Sequence, residues 1–138
     1  MSFINSIDPN LWGPHGWAFL HYITLSYPDK PTQQDKNNII TFFNSVGNVL
    51  PCEKCRYNFD SHLKKFPLDN NTVNSRYNLV NWLVNIHNEV NLMNGKKTVS
   101  FDESVQIYLN KNNKFKWDTL IVYVFIIAFI IYFLLKYL

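Results

Sequence analysis

Two cysteines, Cys52 and Cys55, are the only ones in this 138-residue chain, and they stand together in the run Leu-Pro-Cys-Glu-Lys-Cys from 50 to 55. Such a pair has three chemical uses. A structural zinc ion needs four ligands, usually two such pairs or a pair with two spaced histidines, and the chain has one pair. A disulfide staple across so short a loop constrains little of the unfolded chain. Redox exchange is the favoured use: sulfurs three positions apart at a helix start alternate between dithiol and disulfide, and the helix N-terminus favours the thiolate.

Other residues have types and spacings that draw notice beside the pair. Trp17 and His21 are four apart and share a helical face, following the turn-forming Trp12, Gly13 and Pro14. His87 and Asn91 repeat that spacing in His-Asn-Glu-Val-Asn, with Asn88 turned along the same side. A single helical histidine is more often satisfied or exposed than a ligand. Taken together, the rings, imidazoles and amides resemble the wall of an aromatic, hydrogen-bonding cofactor pocket.

Positioning these groups falls to helices. Apolar residues recur at three and four, and no run alternates as a strand would. A first helix is expected after Pro14 to about Ser26, with Trp17, Leu20, His21 and Thr24 on one stripe. Thr32 and Asp35 form a capping-box pair opening a second helix, whose core face is Ile39, Phe42, Phe43, Val46, Val49 and Leu50. A third starts at the cysteines and stops before Pro67. A fourth starts near Ser75, turns Leu79, Val80, Leu83, Ile86 and Val90 inward, and ends at Gly95. Ser100 and Glu103 repeat the capping-box spacing before a short fifth helix. A thioredoxin-type pair follows a strand in a βαβ unit, whereas this pair follows a helix. The expected fold is all-α, a four-helix bundle with a short fifth helix.

Composition sets the class. An apolar share of 47% fills one core, and a formal charge of +3 carried by scattered lysines argues against a nucleic-acid protein. Leu120 to Leu135 contains no charge, glycine or proline, and at 1.5 Å per residue it makes a helix of about 24 Å. With Thr119, Tyr137 and an outward-reaching Lys136 it reaches the lower length of a bilayer span. Lys111, Lys114 and Lys116 on its N-terminal side place the preceding domain in the cytosol. The first ten residues lack the basic start and apolar core of a signal peptide. The expected organisation is a catalytic domain at 1–110, a basic juxtamembrane linker at 111–118 and a single-pass tail anchor at 119–137.

The segments WGPHGWAFLH, PCEKC and HNEVNLMNGK, in this order and spacing, resemble the Erv/ALR family of FAD-linked sulfhydryl oxidases over residues 8–110, and look most like members carried by large cytoplasmic DNA viruses. The resemblance implies a helical bundle holding FAD, usually as a homodimer, that passes electrons from protein thiols through the cysteine pair to flavin and on to molecular oxygen. It implies that Cys55 lies against the flavin ring and that Cys52, exposed, exchanges with the incoming thiol. Trp17 and His21 match residues on the adenine and ribose side; His87, Asn88 and Asn91 match the helix that holds the cofactor; Lys96 matches a base facing the diphosphate. Trp12, Gly13 and Tyr108 are carried over as further cofactor contacts. The chain lacks the second, shuttle cysteine pair and the structural disulfides of cellular members, and Glu103 stands where some relatives have cysteine. The electron donor is therefore expected to be another protein, thioredoxin-like. Two other readings stand beside this one. One is a membrane-anchored adaptor without catalysis. The other is a zinc module using Cys52, Cys55 and two of His21, His62 and His87.

Overall fold

The structure, a computed structural model, describes residues 6–109 and 111–137, with side chains described for 6–109 and 121–136. Its helices are α1 (Pro9–Leu25), α2 (Gln33–Val49), α3 (Glu53–Lys65), α4 (Arg76–Met93), α5 (Phe101–Leu109) and α6 (Lys111–Tyr137), with a 3₁₀ turn at Thr72–Asn74. No strand occurs among the described residues. The chain divides into two compact units, 1–104 and 105–138.

In the first unit α1 packs on α4 and α2 on α3, while the 3₁₀ turn is held between α2 and α4. The shared core contains Leu20, Ile39, Phe43, Phe59, Leu79, Leu83 and Ile86, and Trp82 meets Phe43 edge-on at 4.8 Å. Burying each such side chain favours the fold by about 1.5–3 kcal/mol before entropy is counted.

Helix ends follow local chemistry. Thr32 and Asp35 form the reciprocal capping box of α2, Ser75 caps α4 through the Asn78 N–H, and Ser100 pairs with Glu103 at the start of α5. Gly95, at φ 65°, closes α4: its N–H bonds the Leu92 carbonyl at 3.1 Å while the Lys96 N–H bonds that of Asn91 at 2.8 Å, which is a Schellman cap.

Two expectations are corrected. α1 begins at Pro9, not after Pro14: Asp8 accepts the Asn10 N–H at 2.9 Å and Pro9 supplies the preset first helical position, so the start signal lies a turn and more earlier and Pro14 sits inside the helix. Val49 is exposed. The buried stripe of α2 runs Ile39, Phe43, Gly47, because the missing side chain at Gly47 admits the Phe59 ring of α3, and this leaves Val49 off the packed face.

In the second unit α6 is one unbroken helix, so residues 111–118, expected as a linker, have helical backbone; their side chains, and those at 119, 120 and 137, lie outside the described set. The described side chains at 121–136 are apolar but for Lys136 and the tyrosines. Among the described residues no helix is long and apolar enough to cross a membrane.

Candidate redox and cofactor site

Pro51 ends α2 and turns the chain so that Cys52 becomes the N-cap of α3. The Cys52 Sγ accepts the Cys55 N–H at 3.1 Å, a bond that only a sulfur poised over the helix start can make. Cys52 and Cys55 form a disulfide with Cα atoms 5.1 Å apart. The turn is clamped on both sides. The Arg56 guanidinium donates to the Leu50 carbonyl at 2.6 Å, and the Ile7 N–H donates to the Pro51 carbonyl at 2.7 Å. Once reduced, a Cys52 thiolate faces the positive end of α3.

Exposure at the pair differs from the expectation. Cys52, expected as the exposed exchange thiol, is only 6% exposed, whereas Cys55 is half-buried. The Cys52 sulfur caps α3, and the segment before α1 is bonded to the neighbouring Pro51.

A second grouping forms where α1 crosses α4. His21 is almost wholly buried, and its Nε2 lies 3.1 Å from Nδ1 of His87. Trp17 stacks on the His87 ring at 3.9 Å with the planes 6° apart. Burial, then the neighbouring His87, pushes the His21 pKa down to about 3. Burial, then the Lys96 charge, pushes His87 down to about 4. Both rings are therefore neutral near pH 7, one donating and the other accepting in their shared bond. The Lys96 effect also places that cation within electrostatic reach of His87, where the Schellman cap folds it back.

The remaining candidates fall as follows. Asn91 is half-buried, one turn on from His87, and its backbone carbonyl accepts the Lys96 N–H, with no side-chain hydrogen bond among the described residues. Gly13 has open space where a side chain would stand. Trp12 donates to the Ile7 carbonyl at 3.3 Å and lies against Gly16. The Asn88 amide is paired at both ends with the backbone of Val99, donating at 2.8 Å and accepting at 2.9 Å, so it fastens the 96–100 segment to α4. Tyr108 belongs to the second unit, and the groupings described here are built from the first alone. Among the described residues, hydrogen bonds to the disulfide stay within its own turn. Among the described residues no cluster of three or more histidine, cysteine or acidic side chains is placed to hold a metal ion, and both sulfurs are committed to each other. His62, named for zinc, is buried on α3, where burial lowers its pKa despite Glu89 nearby.

The donor set fits a large flat anionic cofactor such as FAD: a ring wall for stacking, an uncommitted amide, a cation at a helix end, and room beside Gly13. Sequence reasoning missed Ile7 and Arg56, which hold the redox turn. Arg56 had one signal, a cation directly after Cys55. Ile7 had none, because its bond is from backbone to backbone across the chain.

Fold and site define a class: a small helical bundle with a redox-type disulfide capping one helix and an aromatic–imidazole wall between two others. The model of the Erv1 / Alr family matches residues 14–117, and the chain belongs to that family. It is 47% identical over 100 residues to a probable FAD-linked sulfhydryl oxidase of Acanthamoeba polyphaga mimivirus, covering 72% of this chain and 70% of that protein. To an FAD-linked sulfhydryl oxidase of African swine fever virus it is 34% identical over 97 residues, covering 70% and 79%. The crystal structure of the FAD binding domain of Erv1 from Saccharomyces cerevisiae superposes with a TM-score of 0.67 at 27% identity, covering 74% of this chain and 94% of that one.

Proposed function

We propose that this chain is an FAD-linked sulfhydryl oxidase that makes disulfides in client proteins. The observation that carries the reading is the Cys52–Cys55 disulfide at the N-cap of α3, within the same small bundle as the Trp17–His21–His87 wall. A client thiolate attacks Sγ of Cys52, the bond to Cys55 breaks, and Cys55 leaves as a thiolate; the client's second thiolate then displaces Cys52 and closes the client disulfide. Two electrons have then passed to the pair, which is left as two thiolates, while the two protons of the client thiols have gone to solvent. FAD, when bound, supplies the two-electron acceptor chemistry that returns the pair to its disulfide and delivers the electrons to oxygen. Trp17 would stack against the cofactor, Asn91 would hydrogen-bond it, and Lys96 would balance its phosphate charge.

The donor is a protein dithiol of thioredoxin-like form, since a docked dithiol presents its sulfur with an orientational advantage that a small monothiol lacks. The protein works as a homodimer. The apolar segment at 119–137 anchors it in a membrane as a single pass, with the catalytic domain at 1–110 on the cytosolic side of a host or virion membrane, in keeping with its similarity to viral proteins. That placement raises the effective concentration of clients at the same surface.

The test is the absorption spectrum of the full-length protein in mild detergent. The expected result is a flavin spectrum, one FAD per chain released on denaturation, and oxygen consumption with a dithiol. A well-folded colourless protein that takes up no added FAD overturns the reading.

A further inference from the structure

The proposed chemistry needs an incoming thiolate to reach Sγ of Cys52 from the side opposite Cys55, yet Cys52 is 6% exposed. Three observations bring the segment before α1 to the redox turn. The segment Ser6–Asp8 precedes α1, has no regular structure, and is tied to the redox turn by the Ile7 N–H on the Pro51 carbonyl at 2.7 Å. That carbonyl belongs to the residue before Cys52. The same segment is held from its other side by the Trp12 indole N–H on the Ile7 carbonyl at 3.3 Å. Finally, the Leu50 carbonyl accepts from the Arg56 guanidinium of α3 at 2.6 Å, so the turn keeps a bond of its own when the Ile7 bond is broken.

We propose that Ser6–Asp8 is a strap over Cys52 that gates thiol access to the disulfide. This rests on Cys52 being the sulfur attacked, as in the function proposed above. Release is local. It breaks one backbone hydrogen bond and one indole contact and leaves the Asp8 cap of α1 and the core of the bundle in place. Ile7 is itself 42% exposed, so the strap is open to contact by a client protein. The device separates a client able to displace a bonded backbone segment from a small thiol that must wait for spontaneous opening.

The experiment reads the cysteines directly and needs no flavin, so its failure is distinct from failure of the oxidase reading. Full-length wild type, Ile7→Pro, which removes the N–H, and a variant lacking residues 1–7 are compared. Each is treated with dithiothreitol, quenched with a maleimide at intervals, and scored by mass for disulfide opening. The reduced proteins are then alkylated slowly and labelling is followed at each cysteine. Ile7→Pro is expected to open about threefold to tenfold faster, the change in open population that loss of one hydrogen bond brings. Labelling of Cys52 should rise by a like factor while that of Cys55 stays constant. Wild-type opening rates in a variant with the wild-type melting temperature overturn the strap. So does an equal rise at both cysteines, which means general loosening. If the deletion variant fails to fold, Ile7→Pro decides alone.

Discussion

Cys52 and Cys55 hold unlike positions in the same disulfide, one capping α3 and the other half-exposed a turn later, and substitution should separate them. Cys52→Ser keeps a good N-cap and leaves Cys55 to approach the flavin, so it should lose oxygen consumption yet develop a long-wavelength charge-transfer absorbance; Cys55→Ser should lose both. Wild-type turnover in either protein would remove the pair from the reaction. The histidines carry a pH prediction. His21 and His87 have folded pKa values of about 3 and about 4, below the ordinary 6.5, so the unfolded chain binds more protons between those limits. Stability is therefore intact above pH 6.5 and falls as pH drops towards 4. The buried His21 alone contributes a slope of about 1.4 kcal/mol per pH unit across that window. His62, also depressed by burial, adds in the same direction. Urea midpoints at pH 7, 6 and 5 measure the slope, and His21→Gln should flatten it; a flat wild-type profile would contradict the neutral pair.

Helix ends were the most legible elements, because a cap is written in residues three positions apart. Thr32 with Asp35, Ser75, Gly95 and Ser100 with Glu103 all fall where their local chemistry puts them. The start of α1 was misplaced because Trp-Gly-Pro imitates a turn, and the stronger signal of Asp8 and Pro9 lay just ahead of it. The ring wall was legible as spacing, since His21 and His87 each share a face with a partner, but their meeting across 66 positions was not. Close approach between elements left no trace at all. At Gly47 an added Cβ would stand 2.6 Å from the Phe59 ring, so Gly47→Ala should force α2 and α3 apart and cost about 1–3 kcal/mol, read as a lowered melting temperature with unchanged helix content. Asn88→Ala strands both backbone groups of Val99 and should cost about as much. Faster hydrogen exchange at 96–100 would locate that loss; unchanged exchange there would deny Asn88 its fastening role.

At the scale of the molecule, the first unit holds both chemical groupings, and the second carries the apolar stretch of α6. Removing residues 119–137 should move the protein from the membrane to the soluble fraction of cells while flavin content and dithiol oxidation in solution persist; retention in the membrane fraction would place the anchoring elsewhere. The stacked indole of Trp17 has an optical consequence. Trp82, edge-on to Phe43 and bonded through its indole N–H to the Phe66 carbonyl at 2.8 Å, is buried in the core and emits according to whether the bundle is folded. Trp17 lies face to face with an imidazole, and a cofactor bound against that wall would accept its excitation energy. Acidification should dim Trp17 as a protonated His87 withdraws electrons from the excited ring, and a bound isoalloxazine should silence it, while Trp82 goes on reporting the fold. The chain has four tryptophans, so Trp17→Phe and Trp82→Phe, read as differences over the emission of Trp12 and Trp117, would assign these two contributions and give a built-in fluorescence reading of site and scaffold in one sample.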